Sequence, residues 1–244
     1  MRPQVRSEQG FTLLELLVAM VIGMVVLLAA FKLADAAMFS RVDTENRLDA
    51  AQRGRRTMDV VSRDVRSQMC PSTGVAPIEI AEADRSRFFA SLVSAQSGSV
   101  ALQKREVAYE VPGGSTRGQM VERVYLNKGT ATQPVWDTTT PDQTNVISGD
   151  ITKTTDSATG TVLPVFTYYK YDPTVAAGDP SKLVELTPPI SASDLGLVVE
   201  VRIRFTAWPT GNGANVAKVQ TAFDNRVFVR TADPTDPTHS PRCL

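Results

Sequence analysis

An almost unbroken apolar run occupies residues 11–31 of this chain of 244 residues. At ~1.5 Å rise per residue, a helix over this run is about 32 Å long, which matches the hydrocarbon layer of a bilayer. A conventional secretory signal has a shorter apolar run, and its small residue comes after that run. Here the small residue, Gly10, comes before it. The sequence therefore predicts a membrane-spanning helix over residues 11–31.

Glu15 is the only charged residue within the apolar run. A carboxylate at membrane depth costs a few kcal/mol, so it needs a partner or a route to the headgroups. The pattern leaves two interpretations open. Glu15 lies near the helix start and reaches the headgroup layer, or it takes part in a functional site within the membrane.

The sequence G-F-T-L-L-E of residues 10–15 follows basic residues and begins the apolar run. This arrangement resembles the cleavage and methylation signature of type IV prepilins and type II secretion pseudopilins. The resemblance implies that residues 1–10 are a leader, that a prepilin peptidase cuts between Gly10 and Phe11, and that the Phe11 amine is N-methylated. It also implies that Glu15 faces the Phe11 amine of a neighbouring subunit. A buried carboxylate is tolerable beside a buried cation, and this pair forms only in the assembly.

Charge alone does not orient the span, because Arg2 and Arg6 precede it while Lys32 and Arg41 follow it. The resemblance implies a single-pass inner-membrane protein with its N-terminus in the cytoplasm and its C-terminal domain outside, which later joins a pilus or pseudopilus filament. The implied partners are other pilins or pseudopilins, the prepilin peptidase, the inner-membrane assembly platform and the membrane itself.

The helix is expected to continue beyond the membrane through residues 32–70. No proline lies between Pro3 and Pro71, and Gly54 is the only glycine between the span and Cys70. A single helix over about residues 11–68 is therefore predicted. Opposite charges four residues apart suit an exposed face: they are Arg41/Glu45, Asp43/Arg47, Asp49/Arg53 and Asp59/Arg63. A matching apolar stripe for packing on a domain contains Met58, Val61, Val65 and Met69.

Three arginines, Arg53, Arg55 and Arg56, form a basic cluster on this helix. Nucleic-acid sites usually interleave such charges with aromatic residues, and none occurs here. Asp49 and Asp59 also flank the cluster. We expect a solvated helical face and no nucleic-acid partner.

The fold class expected is α+β, a long helix packed on an antiparallel sheet, because residues 71–244 show short apolar runs separated by turn residues. The predicted strands are residues 87–93, 100–104, 106–111, 120–126, 165–171, 197–208 and 216–229. The strands on either side of residues 112–119 are predicted to form an antiparallel hairpin. Alternation over residues 199–205 predicts one buried face and one wet face. Residues 128–160 are predicted to form a variable surface loop.

The β-rich part carries a second, looser resemblance. The segments RDVRSQMC, VAYEV, MVERVYL, VFTYYKYD, LVVEVRIRFTAW and DNRVFVRT resemble the J-type minor pseudopilins of type II secretion and, equally, the W-type minor pilins of type IV pili. Such proteins are scarce subunits that initiate or cap a filament.

The inventory of reactive residues argues against catalysis. The single histidine, His239, lies in a proline-rich tail, whereas zinc sites and histidine-based catalysis need several groups held together. Asp233 and Asp236 could serve calcium, but calcium needs six or more oxygens from a shaped loop. Lys plus Arg and Asp plus Glu each number 26, so no global field selects a partner. We expect no enzymatic activity, no cofactor and no metal.

Cys70 and Cys243 are the two cysteines. Outside the cytoplasm they could pair, which would stabilise the fold by roughly 3 to 5 kcal/mol in the chain-entropy model. The alternative is two free thiols, and the spacing alone does not decide.

The expected function is that of a structural minor pilin of a type IV pilus. One alternative is a minor pseudopilin of a type II secretion system. An alternative of another class is a filament-displayed adhesin or binding module that uses residues 128–160. A membrane-anchored enzyme is disfavoured by the lone tail histidine.

Overall fold

The computed structural model describes residues 12–72, 74–93, 100–130, 133–172, 183–210 and 220–229. The chain divides into two units, Met1–Glu45 and Asn46–Leu244. One helix, α1 (Leu13–Arg66), contributes residues to both units. The single long helix predicted from the absence of proline is therefore confirmed.

In the second unit, α1 buries one face. Met58, Val61 and Val65 of the predicted apolar stripe are buried, and Met69, which follows the helix, is half-buried. The predicted pairs Arg41–Glu45 and Asp49–Arg53 form at 2.9 Å each. Arg63 instead approaches Asp64, with 3.6 Å between Nε and Oδ1.

The second unit is built on one antiparallel sheet. In the described part of the chain its strands are β1 (Ile78–Ala81), β2 (Arg85–Val93), β3 (Val100–Glu110), β4 (Gly118–Leu126), β5 (Gln143–Thr152), β6 (Phe166–Tyr171), β7 (Leu183–Leu186), β8 (Glu200–Ala207) and β9 (Thr221–Phe228). Their order is β1-β2-β3-β4-β5-β8-β6-β7, and β9 pairs with β8. A short helix, α2 (Ala192–Leu195), lies between β7 and β8. The α+β class, a long helix with an antiparallel sheet, is confirmed.

The β3–β4 hairpin agrees with the prediction, with Tyr109 opposite Met120. The two strands predicted over residues 100–111 are one strand, since Arg105 stays in the ladder between Phe88 and Val124. Along β8, the predicted apolar face is buried at every position from Val199 to Phe205.

The opposite face of β8 was predicted to be exposed to solvent, and this prediction is wrong. Glu200 is only 2% exposed, and Arg226 of β9 approaches it to 3.5 Å. Arg202 pairs with Asp224 of β9 at 2.5 Å. Side chains of the neighbouring strand therefore cover much of this face.

The prediction of a surface loop over residues 128–160 is also wrong in part, because β5 lies within these residues. Its sequence hides the strand for two reasons. Most of its side chains are polar, and the pairing of β5 with β4 shifts register on both sides of Met120. A bulge of this kind breaks the alternation by which a strand is recognised.

The contact between α1 and β9 depends on the absence of a side chain at Gly54. A Cβ there would lie 1.9 Å from Cε2 of Phe223, whose ring stacks on Phe205 with 5.5 Å between centroids. Two turns further along α1, Ser62 accepts a hydrogen bond from Asn225 Nδ2 at 3.0 Å. The helix and β9 are thus joined at two points.

Gly54→Ala is expected to lower the free energy of unfolding by about 1–2 kcal/mol. Displacing the Phe223 ring costs more than alanine gains over glycine in a helix, which is about 1 kcal/mol. Urea unfolding measures the loss, and Phe223→Leu in the same chain should recover most of it by making room. Unchanged or increased stability of Gly54→Ala would contradict this packing.

Candidate assembly site

The N-terminal end of α1 is capped by Thr12. The backbone carbonyl of Thr12 accepts hydrogen bonds from the N–H groups of Glu15 at 3.0 Å and Leu16 at 3.2 Å. Its hydroxyl also accepts from the Glu15 N–H at 3.3 Å. Thr and Glu three residues apart are the residues of a capping box. Glu15 therefore lies in the first helical turn, where a carboxylate is favoured by the helix dipole.

The surface of α1 around Glu15 is apolar and unusually exposed. The large apolar side chains from Leu13 to Phe39 are 49 to 84% exposed. By length and composition α1 could cross a membrane, with a mean hydropathy of 2.7 in its most apolar window. Continuous apolar surface of this kind marks a membrane or protein contact.

The Glu15 carboxylate makes no hydrogen bond or ion pair with any residue that the structure describes. An unpaired carboxylate on an apolar surface can accept a cation from another chain. Gly10 and Phe11 lie outside the described residues, so cleavage and N-methylation stay predictions.

The face that α1 turns to the sheet in the second unit holds a buried carboxylate, Asp64, with no exposed surface. Arg105 Nη1 lies 3.8 Å from Asp64 Oδ1, and the same arginine pairs with Glu122. Burial and then the Glu122 carboxylate raise the pKa of Asp64, Arg105 and Arg63 oppose the rise, and the resulting pKa is about 7. Within the described chain neither oxygen of Asp64 has a hydrogen-bond partner. Asp64 therefore favours its neutral form inside the fold.

A second ionic cluster joins α1 to the sheet through Asp150. Its carboxylate accepts hydrogen bonds from Arg53 at 3.1 Å and Arg117 at 3.4 Å. Its backbone has a φ of 52°, a left-handed conformation that is costly for a residue other than glycine. Arg53 is thus an internal tether rather than part of a solvated face, whereas Arg55 and Arg56 are exposed as expected.

The remaining candidates from the sequence are placed only in part. Cys70 is disulfide-bonded, but Cys243 lies outside the described residues, and the pairing of these two stays a proposal. His239, Asp233 and Asp236 also lie outside them. Among the residues described, no group of three or more His, Cys, Asp or Glu side chains is arranged to hold a metal.

The sequence reasoning missed Asp64 and Asp150 as important carboxylates. A signal for Asp64 was present, because it lies three residues after Val61 and next to Val65 on the buried stripe. A charged residue on that face must be buried with the stripe. No local pattern marks Asp150, because its partners Arg53 and Arg117 are distant in sequence.

A long apolar helix that bears an acidic residue in its first turn and is followed by an antiparallel sheet is consistent with a pilin-like protein. Residues 5–31 match the family described as Prokaryotic N-terminal methylation motif. Comparisons with curated proteins and with solved structures found no match. The chain therefore carries the type IV pilin signal and has the organisation of a pilin-like protein.

Proposed function

We propose that this chain is a structural minor pilin that assembles into a type IV pilus and initiates or caps the filament. The observation that carries the proposal is the unpaired Glu15 on an exposed apolar helix, within the segment that matches the methylation motif. The partners are other pilins, the prepilin peptidase and the inner-membrane assembly platform.

The physical basis of this proposal is the neutralisation of two opposite charges, the Glu15 carboxylate and the Phe11 amine. Cleavage after Gly10 would create an amine on Phe11, one residue before the Thr12 cap. A cation there lies at the positive end of its own helix dipole, which is unfavourable. Glu15 of a neighbouring subunit would neutralise that amine, and the amine would neutralise the carboxylate, so both charges favour assembly over the isolated chain.

Before assembly the chain is held in the inner membrane by α1, with the C-terminal unit outside the cytoplasm. This arrangement needs one span, and α1 is long and apolar enough to form it. Extraction into the filament would move the apolar surface from lipid to the helices of other subunits. The function in this account is assembly, and it requires no catalysis.

The alternative within the class is a minor pseudopilin of a type II secretion system. Deletion of the gene, with wild-type complementation as the control, separates the two. Loss of surface pili with normal secretion supports the minor pilin, and loss of secretion with normal pili supports the pseudopilin. If both pili and secretion are unaffected, neither filament role holds.

Gly10→Val is expected to block removal of the leader. A glycine lets extended backbone enter the peptidase cleft, and a branched side chain next to the cut obstructs it. The mass of protein extracted from membranes of a host with the peptidase should be that of the full precursor. Gly23→Val is the matched control, because Gly23 lies inside the span with no atom near its Cβ position. Normal processing of Gly10→Val would contradict the cleavage site.

Deletion of residues 128–160 is the obvious test of the adhesin alternative, but it would not isolate binding from folding. That deletion would remove β5 from the sheet. It would also remove Trp136, whose ring contacts Phe89 edge to face at 5.2 Å between centroids. Loss of binding in such a deletion would report a damaged fold, so point substitutions are required.

A further inference from the structure

A cavity of about 460 Å³ opens where the C-terminal end of β5, the end of β8 and the start of β9 meet. Its lining is dominated by hydroxyl groups, one amide and one indole. These side chains belong to Thr152, Thr154, Thr155, Thr206, Gln220 and Trp208. The volume falls within the range of roughly 300–1,000 Å³ typical of small-molecule pockets.

The indole of Trp208 is held in place by its surroundings. Its Nε1 donates a hydrogen bond to Thr152 Oγ1 at 2.9 Å, and its backbone N–H donates to the Asp150 carbonyl at 2.9 Å. The Arg117 guanidinium lies 5.0 Å from the ring centroid. Because Arg117 also bonds the strained Asp150, the tether between α1 and the sheet supports this wall of the cavity.

The charge of the cavity is balanced. Lys153 lies in the lining, but its ammonium pairs with Asp84 at 2.6 Å. An ionic ligand would therefore find no unpaired counter-charge among these side chains. An apolar ligand would leave the remaining hydrogen-bonding capacity of the threonine hydroxyls unused, whereas a ligand with hydroxyl groups would use it.

The hydroxyl groups retain hydrogen-bonding capacity. Thr154 and Thr206 share one hydrogen bond at 3.3 Å. A hydroxyl is one donor and two acceptors, so each has capacity left for a ligand. The Gln220 amide adds two donors and an acceptor.

We propose that this cavity binds a neutral saccharide. Sugar hydroxyl groups would bond the threonine and glutamine side chains, and the apolar face of the sugar ring would pack on the indole of Trp208. Such a site goes beyond filament assembly, because it would give the assembled subunit a ligand. It does not depend on Glu15 or on the N-terminal segment.

The test uses the full chain in a zwitterionic detergent, because a glycoside detergent would compete for the site. The chain has two tryptophans, and Trp136→Phe leaves Trp208 as the reporter. Probes are glucose, galactose, N-acetylglucosamine, cellobiose, lactose and chitobiose, with glucuronate and glucosamine as charged comparisons. A saturable change in Trp208 emission with at least one neutral sugar is expected.

Thr154→Val in the same background should weaken that binding about three- to tenfold, the loss expected for one neutral hydrogen bond. Thr144→Val is the matched control, since Thr144 is an exposed residue of β5 outside the cavity, and it should bind as the background does. Equal thermal unfolding of the two variants excludes a folding defect.

Methyl glycosides of the sugar that binds separate two sources of the ligand. Retained binding indicates the end of a surface glycan, and lost binding indicates a free sugar. The proposal is overturned if no neutral sugar changes the emission, if Thr154→Val binds as tightly as the control, or if only the charged sugars bind.

Discussion

Glu15→Val is expected to leave membrane insertion and leader removal intact while reducing recovery of partner pilins with this chain at least tenfold. Valine makes the span more apolar, so insertion is at least as favourable. The Phe11 amine of the neighbouring subunit, however, loses the carboxylate that would neutralise it. The measurement is co-purification of partner pilins from detergent extracts, beside the mass of the processed chain.

The Thr12 cap offers a second explanation of any loss, because Glu15 stands three residues after Thr12, at the acidic position of a capping box. Glu15→Gln separates the two roles. Glutamine can fill the same position in a capping box but carries no charge. Thr12→Ala tests the cap itself, at a cost of about 1 kcal/mol of helix stability.

If charge pairing drives assembly, both Glu15→Val and Glu15→Gln lose the partners and Thr12→Ala retains them. Wild-type recovery with Glu15→Val would refute the assembly role of this residue. Full recovery with Glu15→Gln alone would assign Glu15 to the helix cap instead.

Asp64→Asn is expected to stabilise the second unit increasingly as pH rises. In the folded chain, burial raises the pKa of Asp64 to about 7. In the unfolded chain the carboxyl has its ordinary pKa of 3.8. Between these values the folded state holds a proton that the unfolded state has released, so wild-type stability falls as pH rises.

Relative to wild type, Asp64→Asn should therefore gain about 2–3 kcal/mol in free energy of unfolding between pH 5 and pH 8. Above about pH 7 the difference should level off, because both states of the wild type are then ionised. Urea unfolding at several pH values measures it.

Asp59→Asn is the matched control on the same helix, because Asp59 is exposed. It should change the free energy of unfolding by less than about 0.5 kcal/mol. If the difference in free energy of unfolding between Asp64→Asn and wild type is the same at pH 5 and pH 8, the prediction that Asp64 is buried in its neutral form is wrong.

The sequence predicted the helix and the principal hairpin well because each has a strong local pattern. The apolar run and the long stretch without proline define α1, and the alternation from Val199 to Phe205 identifies the buried face of β8. The short strands β1 and β7 have four residues each, too few for a period to show. β5 was missed because its polar side chains and register shifts remove the alternation.

The candidate sites likewise differ in how far the sequence reveals them. Glu15 stands out because one charge interrupts an apolar run. The cavity around Trp208 does not, because Thr152, Thr206 and Gln220 meet only through the pairing of distant strands. Asp150 is also invisible in the sequence, since its left-handed backbone and its two arginine partners are properties of the fold.

Assembly into a filament requires that the chain is first processed as a prepilin. Mass analysis of the N-terminal peptide, from protein extracted from the membranes of its native host, tests this most directly. We predict a chain that begins at N-methylated Phe11. A chain that still begins at Met1, or one cut after the apolar run as a secretory signal would be, would contradict it.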